Sequence, residues 1–136
     1  MAGYSGTPLS KKLGIKQNFK LYVKNAPEHY RELLSPLPEK VSLTKRLSNE
    51  LDMVHFFTTN KREFVSEIPK LVCRIKQEGM IWVSWPKKAS KVVTDVTEDV
   101  IREVILPLGL VDIKVCAVDD VWSGLKLVIR KELRNS

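Results

Sequence analysis

The chain has 136 residues, 43% of them apolar and 29% charged, which suits one globular domain over residues 1–136 and leaves too little for a second core. No stretch approaches the roughly 20 uninterrupted apolar residues of a membrane span, and MAGYSGTPLSKKLGIK at the start holds no apolar run of the secretory kind, so a cytoplasmic protein is expected. Lys and Arg number 23 against 16 Asp and Glu, a formal charge of +7; that permits nucleic acid or phosphorylated partners, although the basic residues are scattered as on a solvated surface.

Residues 1–16, rich in Gly, Ser, Pro and Lys, read as an N-terminal arm leading into a short apolar turn around Leu13 and Ile15. A strand is expected at Lys20 to Lys24, where Leu21 and Val23 alternate with Lys20, Tyr22 and Lys24; it ends at Asn25-Ala26-Pro27. Pro27 suits the first turn of a helix over Glu28 to Leu34, which Pro36 and Pro38 terminate. A short strand follows at Val41 to Leu43, then LDMVHFF, Leu51 to Phe57, an apolar run of strand length with the character of a central parallel strand.

Asn60, with Glu63 three residues later, opens a helix whose Phe64, Val65, Ile68, Leu71, Val72 and Ile75 recur at helical spacing, with Gly79 as its C-cap. MIWVSWP, Met80 to Pro86, is a second central strand, followed by the basic loop Lys87 to Lys91. A further helix starts near Thr94 to Thr97, presents Val100, Ile101, Val104 and Ile105, and ends at Pro107 and Gly109. Leu110 to Val118 and Val121 to Arg130 alternate, Val111, Ile113 and Val115 on one and Leu125, Leu127 and Ile129 on the other, and form a β-hairpin about Asp119-Asp120. The right-handed crossover rule turns this order into an α/β, Rossmann-like three-layer sandwich, its sheet mostly parallel and ending in the antiparallel hairpin.

LDMVHFF, the helix and strand through PKLVCRIKQEGMIWVSWPK, the helix ending ILPLGLVDIKV and the closing WSGLKLVIRK resemble, over about Leu51 to Lys131, the second half of S-adenosylmethionine (SAM)-dependent methyltransferases. The whole chain, with SGTPLSKKLGI and WVSWPKKAS, is also similar to a family of small bacterial proteins grouped as a domain of unknown function, a resemblance that implies fold and no activity. The methyltransferase resemblance implies a cofactor held at a Gly-rich turn after the first strand and by an acidic residue ending the second. Here that turn reads Lys24-Asn25-Ala26-Pro27, without glycine, and the second strand ends Leu43-Thr44-Lys45, with Glu50 further on. No cofactor is therefore expected.

In open α/β sheets ligands bind beyond the carboxyl ends of the strands. That nominates Asn25, Thr58, Ser84 and Trp85, the basic loop with Lys87, Lys88 and Ser90, and the hairpin turn with Asp119, Asp120 and Trp122, as the rim of a crevice for a small polar or phosphorylated ligand. Each nomination has a plainer alternative: Lys87 to Lys91 as a solvated loop, the two aspartates as turn residues, the two indoles as packing. His55, amid an apolar strand, reads as a hydrogen-bonded core histidine, and His29 as a helix-surface residue. Cys73 and Cys116 lie in apolar stretches without CxxC spacing and read as buried reduced thiols, with no metal site.

There is no Ser-His-acid pattern, HExxH or GxxxxGK, so no catalytic motif is found. Three readings stay open. One is a non-catalytic ligand-binding or regulatory module; another is a divergent methyltransferase using Asn25, Asp52 and the Ser84 to Lys87 loop. The third is a nucleic-acid or protein interaction module using Lys11, Lys12 and Lys16 with the 87–91 loop.

Overall fold

A computed structural model describes residues 7–134. Its helices are α1 (Leu9–Leu13), α2 (Tyr30–Leu34), α3 (Lys61–Val72) and α4 (Glu98–Ile105), and its strands are β1 (Lys20–Lys24), β2 (Ser42–Thr44), β3 (Leu51–Phe57), β4 (Ile75–Pro86), β5 (Leu110–Ala117) and β6 (Trp122–Ile129). The strands form one sheet in the order β2-β1-β3-β4-β6-β5. The first four neighbours run parallel, β6 is antiparallel to β4, and β5 to β6. This is the Rossmann-like α/β sheet with a closing hairpin that the element order predicts.

Strand alternation sends side chains to two cores. Val54, Phe56, Ile81 and Val83 face Phe64 and Ile68 of α3 and Ile101 and Ile105 of α4. Leu21, Met53, Phe57 and Trp82 face Leu9 and Leu13 of α1 and Tyr30 and Leu34 of α2. Each such apolar side chain, fully withdrawn from water, contributes roughly 1.5–3 kcal/mol, so the faces rather than the short helices carry the fold. The helix starts are set locally: Asn60 Oδ1 accepts the Glu63 N–H at 3.0 Å, and Thr97 Oγ1 the Val100 N–H at 3.2 Å.

Several expectations are corrected. α3 stops at Val72, and Ile75 already begins β4, so the apolar Ile75 belongs to a strand. Gly79 is no cap. It lies in a bulge where Leu51 faces Ile75 and Met53 faces Met80, and a Cβ there would stand 2.9 Å from the Lys76 carbonyl and 3.0 Å from that of Leu51. Close backbone approach, rather than helix termination, is what this glycine allows.

Val111, Ile113 and Val115 do not share a buried face. The β5–β6 register slips between Asp112 and Lys114, and Ile113 and Val115 are more than half exposed on the outermost strand. The short second strand lies at Ser42–Thr44, one residue later than expected, and the second helix is only five residues long. Within the expected arm, Leu9–Leu13 folds as α1, and the Trp82 indole donates to the Leu13 carbonyl at 2.9 Å; residues 1–6 lie outside the described residues. Cys73 is exposed and Cys116 half-buried, so neither is a core thiol. No helix among the described residues is long and apolar enough to cross a membrane.

Candidate functional site

Beyond the carboxyl ends of β1 and β2 lies a cleft of about 730 Å³, in the size range of small-molecule sites. Its floor is Tyr22, Val23 and Tyr30, one wall is the turn from Lys24 to Glu28, and the other is Leu43 to Lys45 with Arg31 at the rim. On the α3 side of Lys24 lies a more open hollow of about 690 Å³, edged by Asn60, Glu63 and Glu67.

The turn after β1 is tight without glycine. Asn25 takes the left-handed backbone region (φ 59), which asparagine tolerates better than most residues. Its side chain fixes the turn: Nδ2 donates to the Phe57 carbonyl at 3.1 Å and to Glu63 Oε2 at 3.2 Å. Glu63 Oε1 accepts from Thr58 Oγ1 at 2.8 Å. One carboxylate thus gathers the turn after β1, the end of β3 and the first turn of α3. Lys24 leans outward to Glu67 at 3.3 Å. Hydrogen bonds from Lys70 and, less strongly, Lys24 hold the Glu67 carboxyl below the usual range, against the opposing effect of burial.

Beneath the edge, on the α2 side, runs a buried polar chain. The Tyr30 hydroxyl meets His55 Nδ1 at 2.7 Å, and His55 Nε2 meets Ser84 Oγ at 2.7 Å. His55 and Ser84 have no solvent exposure. A neutral imidazole donates from one nitrogen and accepts at the other, and a hydroxyl can play either role, so the neutral chain is fully satisfied. A cation here would be stripped of water, and burial lowers the His55 pKa to about 3. Burial likewise pushes the Tyr30 phenol well above its ordinary value. Phe57 stacks on His55 with ring centres 4.2 Å apart.

Of the ten nominated residues, Asn25 lines the cleft. Thr58 is buried at the end of β3 and tied to Glu63. Ser84 is the end of the His55 chain, and Trp85 is buried against the α3 and α4 face. Lys87 and Ser90 stabilise their own turn, Ser90 Oγ donating to the Lys87 carbonyl at 2.6 Å, while Lys88 is exposed. Asp119 Oδ1 accepts from the N–H groups of Val121 and Trp122, both at 2.8 Å, which is turn chemistry; its Oδ2 meets His29 Nε2 at 3.1 Å. Asp120 is exposed, and Trp122 packs edge-on against Phe57 at 5.1 Å. Of the nominated residues Asn25 alone lines the cleft, whose open space lies at β1 and β2; Ser84 and Trp85 are buried on opposite faces of the sheet.

Sequence reasoning misses Arg31, Thr44 and Lys45 as cleft residues, and Glu63 as the hub. The rule that points to Asn25 to Glu28 also covers the end of β2, so Thr44 and Lys45 are within its reach. Glu63 is visible there only as half of a helix cap. His29 lies at the N-cap of α2 rather than on the helix surface. Among the described residues no group of three or more His, Cys, Asp or Glu is placed to hold a metal ion.

A search of protein-family models finds no match to the chain, and a search of curated proteins finds none. Solved structures do match. A magnesium protoporphyrin IX methyltransferase from Synechocystis PCC 6803 with bound SAM superposes with a TM-score of 0.59 at 11% identity, over 90% of this chain and 74% of that one. A precorrin-6y C5,15-methyltransferase from Geobacter metallireducens GS-15 gives 0.54 at 12% identity, over 90% and 86%. A SAM dependent methyltransferase from Aquifex aeolicus gives 0.55 at 12% identity, over 88% and 87%. The chain has the Rossmann-like methyltransferase fold; at such identities the likeness concerns fold alone.

Proposed function

We propose that this protein is a non-catalytic ligand-binding module that takes a small phosphorylated ligand in the cleft beyond β1 and β2. The carrying observation is the charge of that cleft. Arg31 and Lys45 stand at its rim with no ion-pair partner among the described residues, Lys24 lies between it and Glu67, and Glu28 is its one acid. Two unneutralised cations facing a concave site favour an anion, and a phosphate accepts from both guanidinium and ammonium donors.

SAM fits this donor set poorly. The ligand carries a sulfonium cation and a ribose diol that asks for an acceptor, whereas β2 delivers Thr44 and Lys45 to the cleft, and the Asn25 side chain stands where the fold's cofactor enzymes have glycine. No methyl-transfer step is derived from these residues. The test is a thermal-shift screen with ADP, sugar phosphates, SAM and S-adenosylhomocysteine. A ligand at 100 times its Kd adds about 2.7 kcal/mol to native stability, a readily measured shift. Stabilisation by phosphorylated compounds that is lost in the Arg31→Glu, Lys45→Glu variant supports the reading; stabilisation by the adenosyl compounds alone refutes it.

The second reading, a divergent methyltransferase, draws on the likeness to SAM-bound structures together with a cleft at the carboxyl edge of the sheet. It requires heat of binding with SAM or S-adenosylhomocysteine in isothermal titration. A flat titration with both removes it.

A further inference from the structure

We propose that Lys12, Lys16, Lys114 and Lys126 form a landing surface for the phosphate backbone of nucleic acid, on the sheet face beside α1 and apart from the cleft. The register of the hairpin creates its centre. Lys114 of β5 is the direct cross-strand partner of Lys126 of β6, so two ammonium groups project from one face as neighbours. Like charges directly opposite on a sheet repel, and this pair has no carboxylate between its members.

The bulge produces the pairing. Asp112 faces Leu127 and Lys114 faces Lys126, so β5 spends two residues where β6 spends one. An unbroken register would set Ile113 opposite Lys126. The bulge re-aims the strand and puts a second cation there instead.

The arm brings two more. Lys114 Nζ donates to the Lys12 carbonyl at 3.0 Å, and Lys12 Nζ reaches the Ala117 carbonyl at 3.4 Å, which seats the end of α1 against the hairpin. Lys16 follows α1 and is exposed. Partial burial lowers the Lys126 pKa, and the nearby charges of Lys114 and Lys16 lower it further, so the group is crowded by cations.

Carboxylates are placed within ion-pair distance of Lys24, Lys70, Lys76, Arg102 and Arg130. Among the described residues none reaches Lys12, Lys16, Lys114 or Lys126. Four cations gathered on one face with no carboxylate among them are suited to an anion from outside. Its charges come from a helix, the turn after it and two adjacent strands, so the matching partner is a repeated anion with one charge per unit. Backbone phosphates meet that description, and lysines that meet them read no base sequence.

The test is fluorescence anisotropy of a labelled 20-base-pair DNA duplex titrated with the full chain from 50 to 200 mM salt. Binding should weaken along a straight log–log line, and replacing the four lysines by alanine should reduce its slope by about 0.9 for each phosphate no longer neutralised. A control removing the same charge elsewhere, Arg46, Lys61, Lys70 and Lys131 to alanine, should keep most of the slope. Lys126→Gln alone, which relieves the cross-strand repulsion, is a second variant expected to fold and to weaken binding several-fold. Equal slopes in the two fourfold variants, absence of binding at 50 mM salt, or binding to phosphatidylserine vesicles without binding to the duplex would each overturn the proposal.

Discussion

The buried histidine makes the pH dependence of stability calculable. His55 carries a proton in the unfolded chain below about pH 6.5 but keeps its neutral form in the fold down to about pH 3. Because the folded pKa is depressed, the unfolded state binds the extra proton, and the fold loses stability as pH falls through the window between those two values. From pH 7.5 to 5 the loss attributable to this residue is about 2 kcal/mol, growing by about 1.4 kcal/mol per further pH unit until pH nears 3.

Urea unfolding followed by circular dichroism at pH 7.5, 6 and 5 measures the loss. His55→Gln supplies the reference. It is less stable at neutral pH, because the Tyr30 and Ser84 hydroxyls lose their imidazole partner, but its stability should change far less between pH 7.5 and 5. Parallel pH profiles for the two proteins would refute the claim that His55 is held neutral by burial.

Gly79→Ala should cost about 1–3 kcal/mol in urea unfolding, because its Cβ would press on two carbonyls that cannot yield without moving strands. Trp82→Phe removes the indole donor to Leu13 and should cost at least about 1 kcal/mol; α1 should then become the first site cut in limited proteolysis. Arg31→Glu with Lys45→Glu should abolish binding of any phosphorylated ligand found by the screen while leaving the melting temperature of the free protein within a few degrees, since both side chains are at the rim; an unchanged Kd would move the ligand out of the cleft.

How much of the fold is legible in the sequence depends on the range of the forces involved. Leu51 to Phe57 is expected residue for residue, because a largely apolar run of only seven residues is too short for a helix of ordinary length and suits a strand buried on both faces. The Asn60 and Thr97 caps are likewise local chemistry, and α3 and α4 begin directly after them. Ile75 reads as helical because its apolar character serves a strand as well as a helix, and the bulge that settles the matter depends on β3, a separate segment. The same holds for Val115: alternation suggests burial, but a slip of one residue and a place at the sheet edge leave it in water. The cleft itself is a relation between β1 and β2, two segments separated by α2, and only the Asn25 turn announces it.

Glu63 gives the molecule a mechanical link. In a simple capping box this residue would return to the N-terminal N–H of its own helix; here its two oxygens are committed to Thr58 and Asn25 instead. The N–H groups at the helix start are met by other side chains, that of Asn60 by Thr58 Oγ1 at 3.3 Å and that of Lys61 by Asp95 Oδ1 at 2.6 Å. The turn at the cleft, the end of β3 and the first turn of α3 are thereby held as one piece through a single carboxylate, and amide hydrogen exchange at Lys61 to Phe64 should rise in Glu63→Ala.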